Sequence, residues 1–140
     1  MGTRRTEAET IRWILSECET WAVVGLGDNP FRPAFRVAEF LQHHGKRIVP
    51  VHPDAATVLG EPGYRALAEI PFPVDCVDVF RRADAAGAFA GQAVAIGAKA
   101  VWFQLGVVDR DAFARTAAAG VDMVMDRCPV IEWPMYGPPA

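Results

Sequence analysis

Five short apolar segments alternate along the chain with longer segments of helical periodicity. The apolar segments are rich in valine, alanine and aromatic residues, and each is bounded on at least one side by glycine, proline or charged residues. Because strands that alternate with helices join through right-handed crossovers, the pattern predicts an α/β fold with a parallel sheet covered by helices on both faces. The predicted strands are residues 21–26, 48–51, 74–80, 100–105 and 121–125.

Helix start and stop signals divide the segments between these strands. Thr6 and Glu9 form a capping-box pattern, which predicts an N-terminal helix within residues 1–20. Pro33 can open the second helix and Gly45 can close it. The remaining predicted helices are residues 33–44, 64–70, 84–98 and a segment that Asp109 or Asp111 caps and that ends at 119.

The tail, residues 126–140, contains four prolines. Proline removes backbone N–H donors and restricts the residue before it, so the tail is predicted to be extended. Trp133 and Tyr136 are expected to hold it against the body of the protein.

The first strand leads directly into the turn Gly25-Leu26-Gly27. A G-x-G turn between a strand and a helix is typical of doubly wound nucleotide-binding sheets. We therefore predict one Rossmann-like domain over residues 1–140, with five parallel strands in the order 3-2-1-4-5 and a ligand at their carboxyl ends. The third glycine of the dinucleotide pattern is missing, because Pro30 stands in its place.

The turn and the helix that follows it form a candidate phosphate site. Glycines let the backbone approach a phosphate closely, and the N terminus of a helix favours negative charge. Arg32 and Arg36 are four residues apart, so they share one helical face near that terminus. They can add charge-assisted contacts to phosphate, or they can be solvent-facing helix residues.

The end of the second strand bears on which nucleotide is bound. NAD sites usually carry an Asp or Glu there, which accepts hydrogen bonds from the adenosine ribose. Here the strand ends in Val51-His52-Pro53, and Asp54 lies beyond the proline. The sequence therefore favours NAD less than a ligand that is richer in phosphate.

The net charge and the composition argue against several classes of binding partner. The formal net charge is −3, whereas nucleic-acid and anionic-membrane binders carry a basic surplus. No run reaches about 18 apolar residues, so no membrane span is predicted. The three cysteines lack metal-site spacing and suit a reducing compartment, so we expect a cytoplasmic protein with no metal site.

Candidate catalytic groups are few. Asp75 and Asp78 are three apart on one strand and point to opposite faces, so we interpret them as edge or cap residues. Cys128 follows Arg127, which could lower the pKa of the thiol, although a packed thiol is the alternative. A mixed disulfide between the thiol of a bound cofactor and Cys76 or Cys128 is a further hypothesis.

Five motifs in order resemble the CoA-binding domain family, small proteins related to the N-terminal domain of the succinyl-CoA synthetase α subunit. The resemblance covers about residues 9–133. Many relatives carry serine where Gly27 or Asp28 and Ala34 stand here. The motifs are VVGLGDNPFRPAFRVAEFL, IVPVHPDAATVLGEPGYRALAEIP, VDCVDVFRR, AIGAKAVWFQLGV and VMDRCPVIE.

The resemblance implies that coenzyme A or an acyl-CoA is bound along the carboxyl edge of the sheet. The glycine turn and the two arginines of the next helix would lie near the pyrophosphate, and His52-Pro53 near the adenosine phosphate. The third and fourth strand ends would line the adenine and pantetheine path. The implied cofactor-binding residues are Gly25, Gly27, Asp28, Asn29, Arg32, Arg36, His52, Pro53, Phe80, Arg81, Phe103 and Gln104.

The resemblance carries a binding module without catalytic parts. Succinyl-CoA synthetases need a phosphohistidine domain and a second subunit, for which 140 residues leave no room. We therefore expect a CoA binder that is not an enzyme by itself. Two alternatives stay open: a small NAD(P)-linked oxidoreductase, and a regulatory or partner module whose nucleotide pocket is vestigial.

Overall fold

The computed structural model describes residues 5–139 and contains one five-stranded sheet. All strand pairs are parallel, and helices cover both faces, so the predicted Rossmann-like α/β class is confirmed. The strands are β1 (Thr20–Val24), β2 (Arg47–Val51), β3 (Cys76–Val79), β4 (Ala100–Phe103) and β5 (Asp122–Val124). The helices are α1 (Glu7–Glu17), α2 (Pro33–His43), α3 (Ala83–Ala95), α4 (Arg110–Ala118) and α5 (Pro129–Tyr136), with a 3-10 turn at Leu67–Glu69.

The strands lie in the order 2-1-3-4-5, so β3 pairs with β1 instead of lying outside β2 as in the expected order 3-2-1-4-5. Pro50 explains the difference. It sits inside β2, where its carbonyl accepts the Tyr64 N–H at 3.0 Å on the outer side of the strand. Because proline cannot donate to a ladder, such a strand belongs at the edge of a sheet.

Two apolar cores fill the space between the sheet and its helices. α1, α2 and α5 cover one face, where the rings of Trp21 and Trp102 are 6.0 Å apart and both side chains are fully buried. α3 and α4 cover the other face, where Phe103 belongs to the same core as alanines of both helices. Every strand is therefore buried on both faces, which explains why the strands read as continuous apolar runs.

The helix ends follow the signals in the sequence. Thr6 and Glu9 form the capping box at the start of α1, and Asp109 caps α4 by accepting the Ala112 N–H at 3.0 Å. Residues 1–4 of the predicted N-terminal helix lie outside the described range. The predicted helix over 64–70 is reduced to the single 3-10 turn, since the prolines and glycines around it interrupt the backbone.

The tail is not extended as predicted, because α5 forms within it. Pro129 occupies the first helical position, where no N–H donor is needed. Val130, Trp133 and Tyr136 recur at helical spacing and pack against the first core, as expected for the two aromatic residues. Burial of this stripe outweighs the one N–H donor that Pro134 removes from the helix interior.

Asp75 contacts residues at the starts of neighbouring strands, as a cap residue would. Its Oδ2 accepts the N–H groups of Glu19 and Thr20, both at 2.9 Å, and Lys99 Nζ lies 3.5 Å from Oδ1. Burial, the largest influence, favours the neutral acid, but the two N–H donors and Lys99 together hold the pKa of Asp75 below its usual range.

Replacing Asp75 by alanine is expected to lower the free energy of unfolding by about 1–3 kcal/mol at pH 7, because two backbone N–H donors, one exposed and one half-buried, lose a charged acceptor. The folded pKa lies below the unfolded value, so this stabilisation is complete above about pH 4 and disappears as the pH falls through the folded pKa. Urea unfolding from pH 7 to pH 3 measures it. The exposed Asp84→Ala variant is the control, and a loss that does not shrink at low pH would contradict this role.

Candidate ligand-binding site

A cavity of about 690 Å³ opens at the carboxyl ends of the strands. It lies where β1 and β3 are neighbours, the point from which the chain runs outward in opposite directions along the sheet. Doubly wound sheets bind their ligands at such a switch point. The volume falls within the range of about 300–1,000 Å³ that is typical of small-molecule sites.

Three helices begin at this cavity, and none of them has a side-chain cap. The N-cap residues of α2, α3 and α5 are Arg32, Arg82 and Cys128, all of which line the cavity. The N-cap residues of α1 and α4 do accept backbone N–H groups with their side chains and do not line it. The positive ends of three helix dipoles therefore converge on the cavity without a side-chain cap within residues 5–139. α3 and α5 carry Asp84 and Glu132 in their first turns, whereas α2 has no acidic residue there.

Gly25 shapes the floor of the cavity. Its φ is +97°, and its N–H donates to the Val51 carbonyl at 2.8 Å. A Cβ atom at this position would lie 2.6 Å from the carbonyl oxygen of Phe80. Only glycine suits both this conformation and this close approach, so the first glycine of the turn is a structural requirement that brings the ends of β1 and β3 together.

Charged side chains surround the mouth of the cavity. Arg32 and Arg81 have no ion-pair partner within residues 5–139, whereas Arg82 lies 3.3 Å from Asp84. Asp28 and Asp54 add two carboxylates to the lining. The mouth therefore offers two uncompensated guanidinium groups beside the uncapped helix ends, an arrangement that suits a ligand with more than one anionic group.

His52 lies beside the glycine turn at the end of β2. Its Nδ1 accepts the backbone N–H of Asp54 at 3.1 Å, which leaves Nε2 to carry the proton of the neutral ring. A Cβ atom at Gly27 would be 3.5 Å from Nε2, which is ordinary contact. The ring therefore presents a donor next to the turn.

Asp78 is the site feature that the sequence reasoning missed. It is fully buried in β3 and is not the edge or cap residue that its spacing suggested. Oδ1 lies 2.6 Å from Gln104 Nε2, and Oδ2 has no partner within the described part of the chain. Burial raises the pKa of Asp78 to about 8, and the Gln104 hydrogen bond offsets this only in part, so the carboxyl is protonated at neutral pH.

The cavity brings together nine of the residues that the resemblance implied. It does not include Arg36, which lies one turn into α2, or Pro53. Phe103 is fully buried in the second core, and its expected place on the ligand path is wrong because neighbouring strand residues face opposite sides. The nine are Gly25, Gly27, Asp28, Asn29, Arg32, His52, Phe80, Arg81 and Gln104.

Several lining residues were not predicted. Asp54 reaches the cavity even though a proline separates it from β2, which weakens the sequence argument against NAD. Ala34 and Val37 belong to the apolar stripe of α2, so their position could have been found from helical periodicity. Arg82 and Leu105 belong to the strand-end segments expected at the site, and Cys128 was considered only as a partner of the cofactor thiol. The other unpredicted lining residues are Pro33, Ala56 and Val107.

The cysteines are packed thiols. Burial raises the pKa of Cys128, and Arg127 pairs with Glu7 and Glu132 instead of activating it. Cys76 is fully buried, and burial raises its pKa as well. Within residues 5–139, no three His, Cys, Asp or Glu side chains group closely enough to hold a metal ion, and no helix is both long and apolar enough to cross a membrane.

Comparison with known proteins adds four findings. The model of a family described as CoA binding domain matches residues 19–134. The uncharacterized protein YneT of Bacillus subtilis (strain 168) is 35% identical over 118 residues, which cover 84% of this chain and 87% of that protein. The structure of a hypothetical protein from Pyrococcus horikoshii OT3 is 33% identical with a TM-score of 0.87, covering 97% of this chain and 98% of that one. A structure of cell-free ID.343 from Thermus thermophilus is 32% identical with a TM-score of 0.82, covering 89% and 95%.

Proposed function

The chain belongs to the CoA binding domain family, and from this premise we propose that it binds coenzyme A or an acyl-CoA in the cavity at the carboxyl edge of the sheet. The observation that carries the proposal is the convergence of three uncapped helix N termini on one cavity. A coenzyme A molecule carries a pyrophosphate and a separate ribose phosphate. It can therefore supply anionic groups to more than one of these helix ends.

The positions of the lining residues support one orientation of the bound CoA within the cavity. The pyrophosphate would lie against the glycine turn and the N terminus of α2, where Arg32 can make charge-assisted contacts. The adenosine phosphate would lie near His52, whose Nε2–H is free to donate. The pantetheine arm would run toward Gln104 and Cys128, where Leu105 and Val107 add apolar surface.

The proposed role is binding without turnover. Asp78 is buried and protonated, and the thiol of Cys128 is kept protonated by burial. Neither group is prepared to act as a base or a nucleophile at neutral pH. Sensing or carrying the cofactor, or serving a partner subunit, would need only the binding site.

NAD is the second candidate, because Asp54 lines the cavity at the end of β2. A carboxylate near this position is the group that would accept hydrogen bonds from the adenosine ribose. In this chain Asp54 Oδ2 lies 3.5 Å from His52 Nδ1, and its side chain is 83% exposed at the rim. The CoA and NAD proposals are therefore distinguished by which of the two ligands binds to the protein.

Thermal unfolding with CoA, dephospho-CoA, NAD, NADP and ATP separates the candidates. CoA at about 100 times its Kd is expected to stabilise the fold by about 2.7 kcal/mol, a rise in Tm of roughly 5–10 °C. Dephospho-CoA, which lacks the ribose phosphate, should stabilise it less. A shift with NAD alone would overturn the proposal in favour of the second candidate.

A further inference from the structure

Asp78 is an unusual residue for the centre of this sheet. Its register neighbours on β1 and β4 are Val23 and Trp102, and the helices over this face contribute an apolar core. A buried carboxyl among apolar side chains is unfavourable because it loses its hydration, and only hydrogen bonds or an ion pair can offset this loss. Its only side-chain partner within residues 5–139 is Gln104, whose own side chain lines the ligand cavity.

The hydrogen bond between these residues fixes the orientation of the Gln104 amide. Nε2 donates to Asp78 Oδ1 at 2.6 Å, so this side of the amide faces into the sheet. In this orientation the NH₂ group of the amide faces Asp78, and the reverse orientation would be hydrogen-bonded only if the protonated carboxyl donated to the amide oxygen. The amide oxygen then lies on the side away from Asp78, and Gln104 lines the cavity although it is only 7% exposed.

We propose that Asp78 is a positioning residue of the ligand site, which holds Gln104 so that its amide oxygen accepts a hydrogen bond from an N–H donor of the bound molecule. The inference rests on the proposed function, in which the pantetheine arm supplies two amide N–H groups. A carboxyl fits this task better than an apolar residue of the same size. It satisfies the buried amide donor, and in its protonated form it adds no negative charge beside an anionic ligand.

Few titratable groups interact with Asp78, so a pH effect that arises from its carboxyl can be distinguished from the effects of other groups. The titratable groups that interact with it are the thiols of Cys76, on its own strand, and Cys128, at the start of α5. No cation contributes to its titration within the described part of the chain. A pH-dependent change that arises from the Asp78 carboxyl alone should therefore disappear when Asp78 is replaced by asparagine.

Affinity for CoA, measured by titration calorimetry on the full chain at pH 7, tests the positioning role. Asp78→Val is expected to weaken binding about five- to tenfold, the effect of losing one neutral hydrogen bond to the ligand. Asp78→Asn retains an acceptor for Gln104 and should restore most of the affinity. Gln104→Leu should match the valine variant, and the double variant should lose no more than either alone.

A second readout needs no ligand. The side-chain amide resonances of Gln104 should shift with pH with a midpoint near 8 in the native chain, and should stay constant in Asp78→Asn. Additive losses in the double variant, an undiminished affinity in a folded Asp78→Val, or Gln104 amide resonances that are the same in the native chain and in Asp78→Val would overturn the inference. If the native chain binds no CoA at all, the proposed function fails, and this comparison of the resonances alone decides whether Asp78 orients Gln104.

Discussion

Replacing Arg32 and Arg81 together by alanine is expected to weaken CoA binding by about 100-fold or more. A hydrogen bond to a charged group contributes about 1.5–3 kcal/mol, and each arginine can make at least one to a phosphate. Both residues line the cavity, are exposed, and have no ion-pair partner within residues 5–139. Arg81 Cζ lies 5.6 Å from the centroid of the Phe89 ring, so the free energy of unfolding should change by no more than about 1 kcal/mol. Calorimetric titration at fixed ionic strength measures the affinity.

Arg36→Ala is the matched control for this experiment. Arg36 carries the same charge on the same helix, one turn away from Arg32, and does not line the cavity. Its removal should leave the affinity within about twofold at physiological salt, where exposed charges are screened beyond about 8 Å. Equal losses for Arg32→Ala and Arg36→Ala would show that the arginines act through the general field of the protein and not through contact.

Replacing Gly25 by alanine is expected to lower the free energy of unfolding by about 3 kcal/mol. The positive φ of +97° costs an L-residue about 1–2 kcal/mol. The added Cβ would also lie 2.6 Å from the Phe80 carbonyl oxygen, so the ends of β1 and β3 must separate. Urea unfolding measures the loss. CoA affinity should fall with it, since the same movement opens the floor of the cavity.

Gly45→Ala isolates the contribution of the close contact. Gly45 has a similar φ of +84°, but an added Cβ would meet nothing within 4 Å. With no contact from residues 5–139, this variant should lose only the conformational part, about 1–2 kcal/mol. Equal destabilisation by the two variants would mean that the contact with Phe80 is relieved at no cost, and that Gly25 is required for its backbone conformation alone.

The sequence predicts the fold class because each strand is buried on both faces and each helix carries its own signals. It does not predict the strand order, because right-handed crossovers allow β3 to lie on either side of the first pair. Pro50 was the available indication, since a proline inside a strand belongs at an edge. For the tail, the local sequence predicts the wrong structure. Local proline content favours an extended chain, and only packing against the first core makes α5 stable.

The candidate site likewise contains residues that the sequence predicts and residues that it does not predict. Residues in the glycine turn and at strand ends, such as Gly25 and Arg81, could be assigned because parallel strands end at a common edge. Phe103 could not be told from Gln104 without knowing where β4 ends and which face each residue takes. Asp78 was misassigned because its burial depends on the layers around β3, which no local pattern reports.

Calorimetric titration of the purified chain with coenzyme A tests directly whether the cavity is a CoA site. We expect saturable binding of one CoA per chain. Dephospho-CoA should bind about tenfold more weakly or worse, since a phosphate contact worth about 1.5–3 kcal/mol is lost. NAD should bind more weakly than CoA. Absence of CoA binding, or tighter binding of NAD, would contradict the claim that the three uncapped helix ends and the arginines form a site for this cofactor.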